Sequence, residues 1–226
     1  MKRKIADYKP LLWILAIPVL NIFYGVLNHG NTTVRSLMIS WDDHIPFISA
    51  FIIPYILWYP FILAMLVAYF MKNKTTYYRT LFTLCLGLIA SYITFFFYQT
   101  TVGRPTITET GLTYWLVDFI YRTDGPYNCF PSIHVLTSYL MLKGLAECKW
   151  SALSKWTIII ASWTITASTV FVKQHVVLDI AGAIVLVEVL YFVVRKWVFP
   201  EVSEMSAMHA NQPPLQEPSR EISQGG

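Results

Sequence analysis

Charge is what this chain has least of. Asp, Glu, Lys and Arg together make up 13% of 226 residues, against about 25% in an average soluble domain. With 55% apolar residues and a mean hydropathy of +0.50, the shortage excludes an ordinary soluble domain. Cysteine is almost as scarce. Cys85, Cys129 and Cys148 are odd in number and widely spaced, which excludes a disulfide framework and every CxxC metal motif, and leaves them as packing residues. The formal charge of +4 is too small and too dispersed to signal nucleic-acid binding.

Long apolar runs are plentiful. Residues 11–27, 45–71, 81–98, 132–145, 156–172 and 176–199 approach or exceed the roughly 17 to 25 residues that cross a bilayer. They predict an all-α, polytopic membrane protein with six transmembrane helices around a helical-bundle core. Residues 1–199 form its single domain, and a Pro-, Ser- and Gln-rich tail at 200–226 reads as disordered and cytoplasmic. The fourth run is the least apolar. The leading MKRK resembles a signal peptide, but the first run reads better as a retained anchor, because large residues and not a small-residue cleavage site follow it.

Positive charge assigns the sides. With a cytoplasmic N-terminus, thirteen cations fall inside: Lys2, Arg3, Lys4, Lys9, Lys72, Lys74, Arg79, Lys143, Lys149, Lys155, Arg195, Lys196 and Arg220. Only Arg35, Arg104, Arg122 and Lys173 fall outside. Both termini are therefore expected in the cytoplasm, and a bacterial-type plasma membrane is the expected location. Residues 111–122 place Leu112, Trp115, Leu116, Phe119 and Ile120 on one face, suiting either an interfacial amphipathic helix or a short buried one. Asn31-Thr32-Thr33 matches a glycosylation acceptor, a short and frequent pattern.

Polar residues gather at the outer ends of the runs. An ionised group at membrane depth costs about 2.5–3.5 kcal/mol on insertion scales, so such residues are paired, interfacial or functional. His175 and Asp179 stand four apart at a helix start, so one face carries both. The carboxylate can fix the imidazole tautomer and free the second nitrogen for chemistry, or the pair can simply tie two spans together. Pro131 and Ser132 read as a helix start with Ser132 as N-cap, which exposes backbone N–H groups to an anion. His134 sits in that first turn. Arg104 offers a bidentate fork for an oxyanion and Lys173 a second cation, although either also suits an interface anchor. Two histidines, a carboxylate, two cations and a helix N-terminus are what phosphoryl transfer requires. No outer Asp/Glu cluster of the kind hard cations prefer is evident, so neither a metal nor a cofactor is expected. Mid-span Glu188 suits either a transport path or a polar pair.

Arg104-Pro105, Pro131-Ser132-Ile133-His134, and Ser168 with His175 and Asp179 together resemble the three motifs of the type 2 phosphatidic acid phosphatase and vanadium haloperoxidase superfamily. The resemblance covers roughly residues 45–195. Phe97 and Thr169 stand where that pattern has a lysine and an arginine, Ile133 stands in place of a glycine, and Lys173 is available to replace one lost cation. The segments around Ser132 and His175 look most like the inositol phosphorylceramide synthase-like branch. The resemblance implies an outward-facing site with His175 as nucleophile, Asp179 orienting it, His134 as general acid and then base, and Arg104, Ser132 and Lys173 holding phosphate. It implies a metal-independent lipid phosphatase acting on a phosphate or diphosphate ester. The alternatives are a lipid phosphotransferase with an alcohol acceptor and a non-catalytic membrane protein or transporter. The expected partners are a lipid phosphate and the membrane, not nucleic acid.

Overall fold

A computed structural model of the protein describes residues 5–30 and 33–200. The acceptor residues Asn31 and Thr32, the cations Lys2, Arg3, Lys4 and Arg220, and positions 201–226 of the expected tail lie outside the described residues.

The described chain is helical apart from one short ladder. A 3-10 segment, Ile5–Leu15, runs into α1 (Ala16–Leu27). Strand β1 (Arg35–Ser36) and α2 (Ser40–His44) follow, then α3 (Ile52–Ile56), α4 (Trp58–Lys72) and α5 (Lys74–Phe97). Strand β2 (Thr100–Thr101) pairs in parallel with β1, Arg35 opposite Thr100. Four helices complete the fold: α6 (Leu112–Thr123), α7 (Ile133–Ala146), α8 (Ala152–Phe171) and α9 (Val177–Val193).

Among the described residues four helical stretches are long and apolar enough to cross a membrane: Asp7–Leu27, Ser49–Lys72, Lys74–Phe97 and Val177–Val198. Their outward side chains include Leu63, Phe96, Val185 and Phe192, each at least half exposed. A continuous apolar exterior of this kind suits lipid and not water. The remaining two runs behave differently. At 14 residues α7 is short. With 20 residues α8 is long enough, but it is too rich in Ser and Thr to meet the same apolar standard. The buried hydroxyls among them are satisfied inside the bundle. Ser162 donates to the Ser138 carbonyl at 2.6 Å, and Thr166 and Thr169 donate to carbonyls one turn earlier in α8, which lets a polar sequence lie against other helices.

The third run starts earlier than hydropathy indicates. Asn73 caps α5 by accepting from the Thr75 and Thr76 amides at 2.9 and 3.3 Å, so a polar first turn precedes the apolar one.

The central element is α7, which packs against α4, α5, α8 and α9. Its buried residues include Val135, Leu136, Leu140 and Met141, on opposing faces, as expected of a helix surrounded by others. Close approach is bought by glycine: a β-carbon at Gly87 would press on Leu136, and one at Gly144 on Tyr69 and Thr80.

The two ends of the bundle differ. One end joins α4 to α5 and α7 to α8, and carries Lys72, Lys74, Lys149 and Lys155. There buried Arg79 pairs with Glu147 and donates to the Phe199 carbonyl at 2.6 Å. Nearby, Glu188 accepts from Tyr139 at 2.6 Å and Lys143 at 2.9 Å, so the mid-span acid is half of a polar pair. The other end holds the β ladder, α2, α6 and both histidines of interest. On α6, Leu112, Trp115 and Phe119 point outward while Val117 is buried and Leu116 and Ile120 are half-buried. The apolar face expected of residues 111–122 is thus divided between exterior and core.

Candidate active site

The site forms where the starts of α7 and α9 meet. Ser132 caps α7, its hydroxyl accepting from the Val135 amide at 3.4 Å. The Ser132 amide in turn donates to the Asp179 carbonyl at 3.3 Å, fastening the two helix starts together. Phe130, just before them, lies against Gly182 on α9, where a β-carbon would overlap its ring.

The turn from α8 into α9 places His175. Lys173 adopts the left-handed region, φ 51°, and the amides of Gln174 and His175 both donate to the Thr169 carbonyl at 2.9 and 3.1 Å. Asp179, fully buried, accepts on Oδ2 from the Val176 amide at 3.0 Å, and the same oxygen lies 3.2 Å from His175 Nδ1. One carboxylate oxygen therefore caps the helix and fixes the imidazole. Asp42 supplies a second cap from 135 residues away in sequence, its Oδ1 accepting from the Val177 amide at 2.9 Å.

His134 and His175 face one another, ring centroids 5.9 Å apart. The His134 imidazole stacks on Tyr55, centroid distance 4.3 Å, and lies 4.1 Å from the Trp58 ring. Both histidines open on one cavity of about 340 Å³ whose wall also holds Tyr24, Asn128 and Asp124. His175 also borders a neighbouring cavity of about 270 Å³, with Lys173, Asp42 and Asp43 on its wall.

The other sequence-selected residues are placed as follows. Ser132 is buried and committed to its cap. Lys173 lies on the second cavity, its ammonium donating to the carbonyls of Ile45 at 2.6 Å and Asp42 at 3.3 Å. Arg104 borders neither of these two cavities. It donates to the carbonyls of Asp124 at 2.7 Å, Gly125 at 3.1 Å and Tyr121 at 3.3 Å, and to the Gln174 side chain, with its guanidinium over the Tyr121 ring. In this geometry Arg104 ties the end of α6 to the His175 turn. Ser168 and Thr169 are buried, each donating one turn back, and Phe97 is exposed on the exterior.

Two residues escaped the sequence reading, and a third, Cys129, reads there only as a packing residue. Asp124 lies on the histidine cavity and accepts from Tyr24 and Asn28, both at 2.7 Å; partners about a hundred residues apart carry no local signal. Asp42 caps α9 across a similar distance. Cys129 is the third: its sulfur, a His175 nitrogen and an Asp179 oxygen lie within 4.8 Å of one another, three of the four donors a tetrahedral metal needs. Burial first, and then the Asp179 charge, hold the Cys129 thiol well above its usual value.

The chemistry open to this arrangement follows. A carboxylate on Nδ1 leaves His175 Nε2 as the reactive nitrogen, and His134 is set across the cavity to exchange a proton. The two ring centroids are 5.9 Å apart, so both imidazoles border the same small space. No family model, curated protein or solved structure matches this chain.

Proposed function

We propose that the protein is a metal-independent lipid phosphatase that hydrolyses a lipid phosphate or diphosphate ester through a phosphohistidine. The observation that carries this reading is the pair of histidines opening on one cavity, with Asp179 on the inner nitrogen of His175. His175 Nε2 attacks phosphorus as the bond from phosphorus to the lipid oxygen breaks, and protonated His134 gives its proton to that oxygen. His134, now neutral, takes a proton from water, whose oxygen attacks the phosphohistidine and releases phosphate and His175. Arg104 Nε and Gln174 Nε2 are buried donors without a protein acceptor; Gln174 precedes His175 in the chain. The cation nearest the histidines by cavity lining is Lys173, on the adjoining cavity that His175 also borders.

The chain crosses the membrane six times in this reading, α7 and α8 adding two spans to the four apolar ones. At about 1.5 Å per residue α8 is about 30 Å long, the thickness of the hydrocarbon core. Both termini lie in the cytoplasm of a plasma-membrane protein and the histidines at the outer face, because the cations concentrate at the opposite end.

One observation favours a second, non-catalytic reading. Among the described residues Asp124 is the only Asp, Glu, Lys or Arg on the histidine cavity, and Arg104 is occupied by protein acceptors. Phosphate release from phosphatidate and a polyprenyl diphosphate by the detergent-purified protein, in EDTA, decides between them. Release that survives EDTA and disappears in both His175→Ala and His134→Ala supports the phosphatase. Silence of the wild type on both lipids, with folding intact, supports the second reading.

A further inference from the structure

The histidine cavity does not end at the histidines. It shares Asn21, Trp58, Tyr59 and Ile133 with a crevice of about 250 Å³ between the Ile14–Asn21 stretch, α4, α5 and α7. The crevice is lined with aliphatic side chains such as Ile17, Ile62, Leu66 and Leu84. Two of its polar atoms, the Thr137 hydroxyl and Asn21 Oδ1, are already engaged. The Thr137 hydroxyl accepts from Trp58 Nε1 at 2.7 Å and donates to the Ile133 carbonyl at 2.8 Å, while Asn21 Oδ1 accepts from Tyr92 at 3.0 Å. What the wall offers an occupant is mainly hydrocarbon contact.

The crevice reaches the exterior. Leu63 and Tyr59, on its wall, are more than half exposed, and α1, which forms one side, has no buried residue. Every residue of α1 stays at least partly exposed, so the crevice beside it opens to the surrounding lipid.

We propose that one hydrocarbon chain of the substrate lies in this crevice between α1 and α4 while its phosphate meets the histidines. This rests on the phosphatase reading and deepens it: the enzyme reads the lipid chain next to the head group, not the head group alone. A chain from bulk lipid offers the same chemistry, and the experiment separates the two.

Ile17→Trp fills the crevice from α1, and Val19→Trp, whose parent side chain is exposed, is the control on the same helix. Long-chain phosphatidate and water-soluble p-nitrophenyl phosphate are compared as substrates. Ile17→Trp is expected to lower kcat/KM at least tenfold on phosphatidate and less than twofold on the soluble ester, and Val19→Trp to change neither. An equal effect of Ile17→Trp on both substrates, or none on either, overturns the proposal and leaves the phosphatase standing.

The second measurement needs no turnover. Photo-cross-linking with diazirine-tailed phosphatidate, mapped by mass spectrometry, is expected to label residues 14–21 and 58–66 and to be competed by short-chain phosphatidate. Labelling that a diazirine-tailed phosphatidylcholine reproduces equally, uncompeted by phosphatidate, assigns the crevice to bulk lipid and overturns the proposal. Absence of phosphate release from every ester, with competed labelling intact, refutes the phosphatase and keeps the chain site.

Discussion

Asp42 is the residue whose removal should most disturb the site without touching it. Its two carboxylate oxygens accept from different helix starts: Oδ2 from the Ile39 amide at 2.9 Å, before α2, and Oδ1 from the Val177 amide at 2.9 Å, at the start of α9. Its carbonyl receives the Lys173 ammonium. The residue is buried, so in Asp42→Ala neither amide gains water in exchange. A hydrogen bond to a charged group contributes about 1.5–3 kcal/mol, and loss of an N-cap about 1 kcal/mol. Relaxation of the short α2 recovers part of the first bond, and about 2–4 kcal/mol remains as the expected cost. For a chain of this length 1 kcal/mol corresponds to about 2–4 °C, so Tm in detergent should fall by about 4–16 °C. Asp42→Asn keeps one acceptor and should lose roughly half as much. Because Val177 follows the His175 turn directly, phosphate release measured well below Tm should also fall, with kcat affected more than KM. A Tm within 1 °C of wild type for Asp42→Ala would refute the capping argument.

Arg104 gives a second test. A guanidinium held by three carbonyls and Gln174 is part of the fold before any substrate binds, and lysine cannot reproduce the fork. Arg104→Lys should therefore lower Tm by several degrees with no lipid phosphate present; an unchanged Tm would show that the arginine is held for substrate and not for structure. Tyr121, which donates to the Val172 carbonyl at 2.8 Å, gives a pH signature. Burial pushes its phenol up to about 12, with the Arg104 charge opposing. A raised value means that the folded state keeps its proton longer than the unfolded one. The stabilisation is complete below the ordinary value of about 10 and is lost as pH rises from there through the raised value. Tm should decline above about pH 10, and Tyr121→Phe, though less stable at neutral pH, should decline less steeply; parallel curves would contradict this.

What could be read from the sequence was local. Apolar runs became helices because burial or lipid contact is decided residue by residue, and Ser132 caps α7 because capping needs only the next three residues. His175 and Asp179 meet because four residues make about one helical turn. The beginning of α5 was hidden because its first turn is polar and held by Asn73, a feature that hydropathy does not register. The polarity of α8 obscured its length for the same reason, since its buried hydroxyls, Ser162, Thr166, Ser168 and Thr169, each find a carbonyl inside the bundle. Least legible was everything that joins distant segments. Arg104 looks from sequence like a cation waiting for an oxyanion, and only the approach of the Tyr121–Gly125 carbonyls shows that it also ties loops together. Asp124 gave no hint of itself, since its partners Tyr24 and Asn28 lie on and just beyond the first helix.

The central claim is that His175 carries the phosphoryl group. Rapid quenching of the purified protein with ³²P-labelled phosphatidate, followed by peptide mapping, tests it directly. The account predicts an acid-labile, base-stable label on the peptide containing His175, absent in His175→Ala and longer-lived in His134→Ala. Phosphate release without any protein-bound label, or a label that persists in His175→Ala, would contradict it.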